Sequence, residues 1–238
     1  MTDQFFWIAN HPGLDFVNTE AVDAGGRPLE LLYDWDSVVG WAEAAGLVDA
    51  DIARDAATLS VGRARRRVAW ARMLRTAARE VVTPGRPGRQ GGATRLADVV
   101  AQVPVSLTYR PEDGRHQSRS ASVDAHARQR AVSVQVGQQV AVVVGAAGPA
   151  DTVRLELALA VLDATRLDRS RIRTCASDRC GLLYYDTSKN GSRRWCDMSV
   201  CGNRAKSAAH YERTKRRRAR VRGSGEPHTP GPASVGPI

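Results

Sequence analysis

Cys175-Ala176-Ser177-Asp178-Arg179-Cys180-Gly181 opens the stretch that decides how this chain is read, and Trp195-Cys196-Asp197-Met198-Ser199-Val200-Cys201-Gly202 closes it. All four cysteines of the 238 residues lie here, as two C-x4-C pairs fifteen residues apart. Thiolates are the preferred ligands of a closed tetrahedral structural zinc site, and two short clips joined by a loop let one chain surround the ion. Cys175, Cys180, Cys196 and Cys201 are therefore expected to hold one structural Zn2+. Four thiolates leave no open coordination position for water, which argues against catalytic zinc.

The residues around the cysteines extend this reading. Asn190-Gly191 predicts a β-hairpin between the two pairs, because both residues accept positive φ. Gly181 and Gly202 each follow a cysteine, where the missing Cβ lets backbone turn around the sulfur. Asn203 is expected to cap a helix running to about Val221, about 27 Å long. The order is cysteine pair, hairpin, cysteine pair, helix, a treble-clef-like finger. Ala205, Ala208, Ala209 and Tyr211 are expected to face the finger.

Charge gives the finger a partner. Residues 203–222 carry nine Arg/Lys against one Glu. Residues 1–62 hold two Arg against eleven Asp/Glu, whereas residues 166–222 hold seventeen basic and five acidic residues. Of the overall +10, the C-terminal segment thus carries +12, and the rest of the chain sums to −2. An anionic partner at this end is expected, with nucleic acid first. Arg193, Arg194, Arg204, Lys206, Arg213, Lys215, Arg216, Arg217 and Arg218 are the expected contacts. RNA or a ribosome is the second candidate, and a zinc-stabilised module docking an acidic protein is the third. Few aromatic residues offer a stacking platform, which places RNA behind DNA.

Outward from the finger, the chain reads as mainly helical. Helices are expected from Asp36 to Ala45 behind an Asp34 or Asp36 cap, from Asp49 or Asp51 to about Leu59, and over Gly62–Val82. Arg63, Arg65, Arg66 and Arg67 on the longest of these form a second basic cluster, expected to be a solvated face balanced by the acidic N-terminal residues. Pro84 to Gly92 predicts an exposed loop, and Thr94–Val103 a short helix. The period then changes to two. Val105, Leu107 and Tyr109 precede a Pro111-Glu112-Asp113-Gly114 turn, and Val132–Val136 and Val140–Val144 follow, giving a small antiparallel sheet over about 104–146. A helix from Ala150 to Leu167 leads into the cysteines. The fold class is α+β: a mainly helical domain over 1–170 with a small sheet, a finger with a basic helix over 171–222, and a disordered tail over 223–238.

Near the N-terminus, Leu14 and Val17 share a helical face with Asp15, Asn18 and Thr19 beside it. One reading is a short helix packed on the core; the other makes His11, Asp15 and Asn18 the polar lining of a small-molecule pocket. Phe5–Ile8 is too short for a signal sequence, and Val140–Ala147 is too short to span a bilayer, so a cytoplasmic protein with no membrane partner is expected. No nucleophile–base pair, phosphate loop or open metal site is found, and an enzyme is not expected. A homodimer would give two fingers to one target.

Arg193-Arg194-Trp195-Cys196 followed by Cys201-Gly202-Asn203-Arg204-Ala205-Lys206 resembles the CGNR zinc-finger family. Tyr185–Ser192 resembles that family's hairpin, and Leu14-Asp15-Phe16-Val17-Asn18-Thr19 resembles the start of the ABATE-type domain that precedes the finger. The resemblance implies a bacterial, stress-related transcription regulator. It makes the four cysteines zinc ligands and Arg193, Arg194, Arg204 and Lys206 nucleic-acid contacts.

Overall fold

The computed structural model describes residues 5–22, 27–85, 89–111, 132–135 and 140–223. The expected turn at Glu112–Gly114 and the tail beyond Gly223 lie outside the described residues. The chain divides into two compact units, Met1–Cys196 and Asp197–Ile238.

The first unit begins with α1 (Pro12–Val17), whose N-cap is His11: its Nδ1 accepts from the Gly13 N–H, and Pro12 supplies a preset φ at the first helical position. Leu14, Phe16 and Val17 are fully buried. Gly13 is obligatory here, because a Cβ at this position would sit 2.2 Å from the carbonyl oxygen of Ala160. A short hairpin of β1 (Glu20–Val22) and β2 (Pro28–Glu30) follows, unsignalled by any alternation in the sequence. Its anchor is Arg75, buried, whose two Nη atoms each lie 2.6 Å from a carboxylate oxygen of Glu30. Burial alone would raise the Glu30 pKa, but the bonds and charge of Arg75, with Arg72 behind it, hold it below the ordinary value.

Two capped helices come next. Asp34 caps α2 (Trp35–Ala44) in a reciprocal box with Ser37, and Asp49 caps α3 (Ala50–Ala57). The long α4 (Val61–Val82) and α6 (Pro149–Ala164) supply the inner faces of the core, through Val68, Leu74, Val82, Val153, Leu157 and Val161. Trp41 fills the centre and meets Phe16 edge-on at 5.2 Å. Helix α5 (Arg89–Val100) starts five residues before the expected Thr94. Its first turn survives two glycines because it lies against α4: a Cβ on Gly92 would sit 2.9 Å from Glu80 Cβ, and Arg95 Nε bonds Glu80 at 2.9 Å.

The small antiparallel sheet has the order β3–β5–β4, from β3 (Val105–Pro111), β4 (Val132–Gln135) and β5 (Val140–Ala146). Val105 pairs with Ala146 and Val132 with Val144. After α6, β6 (Ile172–Thr174) and β7 (Leu183–Tyr185) pair antiparallel around the first cysteine clip. The second unit contains a π-helical turn, Met198–Gly202, and α7 (Asn203–Gly223). No helix among the described residues is long and apolar enough to cross a membrane.

Candidate metal centre and basic helix

The first clip is a tight knuckle between β6 and β7. The Cys175 N–H donates to the Leu182 carbonyl at 2.9 Å and the Cys180 N–H to Ser177 at 3.0 Å, while Gly181 turns the chain at φ 71°. The strand pairing therefore encloses the cysteines rather than lying between the two pairs. The hairpin expected at Asn190-Gly191 does not form. Only Gly191 of the two has positive φ, and a local turn closes from its N–H to the Ser188 carbonyl. Side chains replace a ladder over this loop. Asp186 accepts from the Ser188 and Arg193 N–H groups, Arg171 donates to the carbonyls of Asp186 and Ser188, and the Tyr184 hydroxyl donates to Arg193. The Ser188 hydroxyl first, and then these backbone donors, hold the Asp186 carboxyl below its ordinary pKa.

The loop delivers Cys196 beside Cys180, with the sulfurs 3.4 Å apart. All four cysteine sulfurs lie within 4.8 Å of one another, and Cys175, Cys196 and Cys201 are buried. A tetrahedron with Zn–S bonds of about 2.3 Å has edges of about 3.8 Å, so the cluster matches the ion in size as well as in donor type. The hydrogen bond with the Cys180 sulfur, followed by burial, pushes the Cys196 thiol far above its ordinary pKa. Thiolates so crowded need a cation among them, and a coordinated divalent ion reverses that penalty. The four cysteines are positioned to bind one zinc ion.

His11, Asp15 and Asn18 are engaged by hydrogen bonds within the fold. They brace the clip. Asn18 is fully buried and mimics a strand: its Nδ2 donates to the Leu183 carbonyl at 2.8 Å and its Oδ1 accepts the Leu183 N–H at 2.9 Å. The Tyr185 N–H donates to the Ala9 carbonyl, and Asn10, at φ 58°, donates from Nδ2 to the Tyr185 carbonyl. Asp15 holds that N-terminal segment by accepting from the Ile8 and Ala9 N–H groups. His11 lies 3.1 Å from Asp163 on α6. The polar residues that suggested a ligand site are spent on backbone, because β7 presents an edge that must be satisfied away from water.

Arg193 belongs to the same framework. It donates to the carbonyls of Trp195, Ile8 and Cys196, and its guanidinium covers the Tyr184 ring at 4.4 Å. Three of its five N–H donors are thus committed to backbone carbonyls, a structural task beside the nucleic-acid contact expected from the sequence. Arg194 is exposed and lies over Trp195 at 5.1 Å.

In the second unit, Asp197 caps the π-helical turn through the Ser199 and Val200 N–H groups. Asn203 continues this turn at helical dihedrals, so the expected cap lies six residues earlier than Asn203. Along α7, Arg204, Lys206, Arg213, Lys215, Arg216, Arg217 and Arg218 are exposed, and none makes a salt bridge with a described residue. Ala208, Ala209 and Tyr211 are exposed too, Tyr211 at 66%, against the expectation that they face the finger.

A family model described as "Putative stress-induced transcription regulator", ABATE, matches residues 10–169. The chain belongs to the ABATE family. A CGNR zinc finger model matches residues 171–214. A search of curated proteins finds no match.

The family boundary near residue 170 is thus not a boundary in space, since the first compact unit of this ABATE chain runs on through three of the four cysteines. Asp15 carries a measurable sign of that construction. Burial raises its pKa to about 6, although the Ala9 and Ile8 N–H groups oppose the shift. A carboxyl that holds its proton more tightly when folded stabilises the fold below its unfolded pKa, and that contribution is lost as pH rises from about 4 to about 6. Asp15→Asn is expected to remove this component, on the order of 3 kcal/mol. Urea midpoints at pH 4.5 and pH 7 check it: the difference between variant and parent should change between the two pH values, and a constant difference contradicts the assignment.

Proposed function

We propose that this ABATE protein is a transcription regulator that grips duplex DNA with α7, oriented by the zinc-bound turn that contains Cys201. The observation carrying the proposal is the row of exposed basic side chains from Arg204 to Arg218, without salt-bridge partners among the described residues, on a 21-residue helix. Such a helix repels itself in isolation. Laid along phosphates it releases counterions, which makes binding steeply salt-dependent. A regular helix about 10–12 Å across also has the dimensions of the major groove. Arg194 at the end of the finger loop adds one further basic contact. A homodimer would bring two such helices to one site and raise affinity without new contacts.

The salt dependence of duplex binding tests the reading. If all seven of the exposed basic side chains named on α7 reach phosphate, log K falls with log salt at a slope of about −6. Replacing Arg204 and Lys206 by Gln should reduce the slope by about two. A slope unchanged by these substitutions contradicts the role of α7. Tighter binding to structured RNA or to an acidic protein than to any duplex would transfer the helix to that partner.

A further inference from the structure

We infer that a groove between α4 and α6 binds a small organic anion with an apolar body, a ligand distinct from the DNA proposed above. The groove has a volume of about 540 Å3 and is lined by Arg63, Arg66, Arg67, Trp70 and Met73 of α4 and by Arg154 of α6, with Gln102 at one end. Ligand pockets of drug-sized molecules fall in the same range, about 300–1,000 Å3.

Two of its arginines are fixed in place. Arg67 and Arg154 converge on one carboxylate oxygen of Asp151, at 2.6 and 3.1 Å. Arg154 also donates to the Gln102 carbonyl at 2.7 Å and lies over the Trp70 ring at 4.6 Å. The other two, Arg63 and Arg66, are exposed one turn apart and make no salt bridge with a described residue. Four guanidiniums against the one carboxylate of Asp151 leave three positive charges around a concave surface, and no described acidic residue lines it.

This is not the balanced solvated face expected from the sequence. Four of the eleven acidic residues that were to balance it are committed elsewhere: Glu30 to Arg75 and Arg72, Asp51 to Arg54, and Asp34 and Asp49 to helix caps. Burial first, and the Arg67 charge after it, depress the Arg154 pKa, while the bond and charge of Asp151 oppose them. Met73, 47% exposed, and the edge of Trp70 supply an apolar wall. A polyanion needs no such wall, whereas a small anion on a hydrocarbon or aromatic body uses both features. A second cavity, of about 520 Å3 beside Tyr33, lacks this imbalance: Arg65 and Arg72 line it together with Asp34 and Asp36.

Calorimetric titration of the full zinc-loaded chain tests the site, with phenyl phosphate, phenylacetate, inorganic phosphate and benzyl alcohol as probes. The expected result is one phenyl phosphate or phenylacetate per chain, bound at least about tenfold more tightly than inorganic phosphate, and no binding of benzyl alcohol. The tighter of the two aryl anions identifies phosphate or carboxylate as the preferred head. Arg66→Gln and Arg63→Gln should each weaken binding about tenfold, since each removes a charge-assisted contact. Tyr33→Ala, in the second cavity, should leave it unchanged. No aryl-anion binding at millimolar concentration, or binding indifferent to Arg63→Gln and Arg66→Gln, overturns the proposal. So does a result in which those two substitutions weaken only duplex DNA binding. Because α7 is untouched by these variants, failure here leaves the DNA reading standing.

Discussion

Cys196→Ser is expected to take metal content from one zinc per chain to none. The three sulfurs that remain cannot close a four-coordinate structural site, and the binding free energy at stake is about 10–16 kcal/mol in finger peptides. That equals or exceeds the stability of a typical domain, about 5–15 kcal/mol. The loop from Asp186 to Cys196 and the turn from Met198 to Gly202 should lose amide protection. The buried faces of α4 and α6 should keep theirs, since their packing involves no cysteine. Metal analysis together with hydrogen exchange reads both effects. A variant that retains one zinc, or one whose α4 and α6 amides open together with the finger, contradicts this division.

Asn18→Ala is expected to cost about 2–5 kcal/mol. It strips both hydrogen bonds from the buried Leu183 peptide groups, and each buried group left unsatisfied costs about 1–3 kcal/mol. The loss should appear as a lower urea midpoint and as faster exchange of the β7 amides with zinc bound. A midpoint unchanged within about 0.5 kcal/mol would mean that the N-terminal unit does not brace the clip.

The zinc ligands were legible because four cysteines in paired spacing need no tertiary information. The helices were legible for a similar reason: caps such as Asp34 and Asp49 and the apolar period of α4 are local signals. The brace was not. Asn18 reads as a polar residue beside a helix until Leu183, 165 residues away, presents its backbone. Arg193 has the composition of a DNA contact, and only the carbonyls of Ile8, Trp195 and Cys196 reveal its task. Asn190-Gly191 carried a hairpin signal that Asp186 overrode by capturing the backbone on both sides of the turn. The glycines of α5 read as loop because the close approach to Glu80 is a contact between helices. Local signals survived folding wherever no distant group competed for the same backbone.

Selection of a random duplex pool by the zinc-loaded chain at near-physiological salt, beside the chain with Arg204→Gln and Lys206→Gln, tests the central claim most directly. The account predicts enrichment of a defined site by the parent and its loss in the variant. Enrichment that survives the substitutions, or none by the zinc-loaded parent, would contradict a DNA regulator acting through α7.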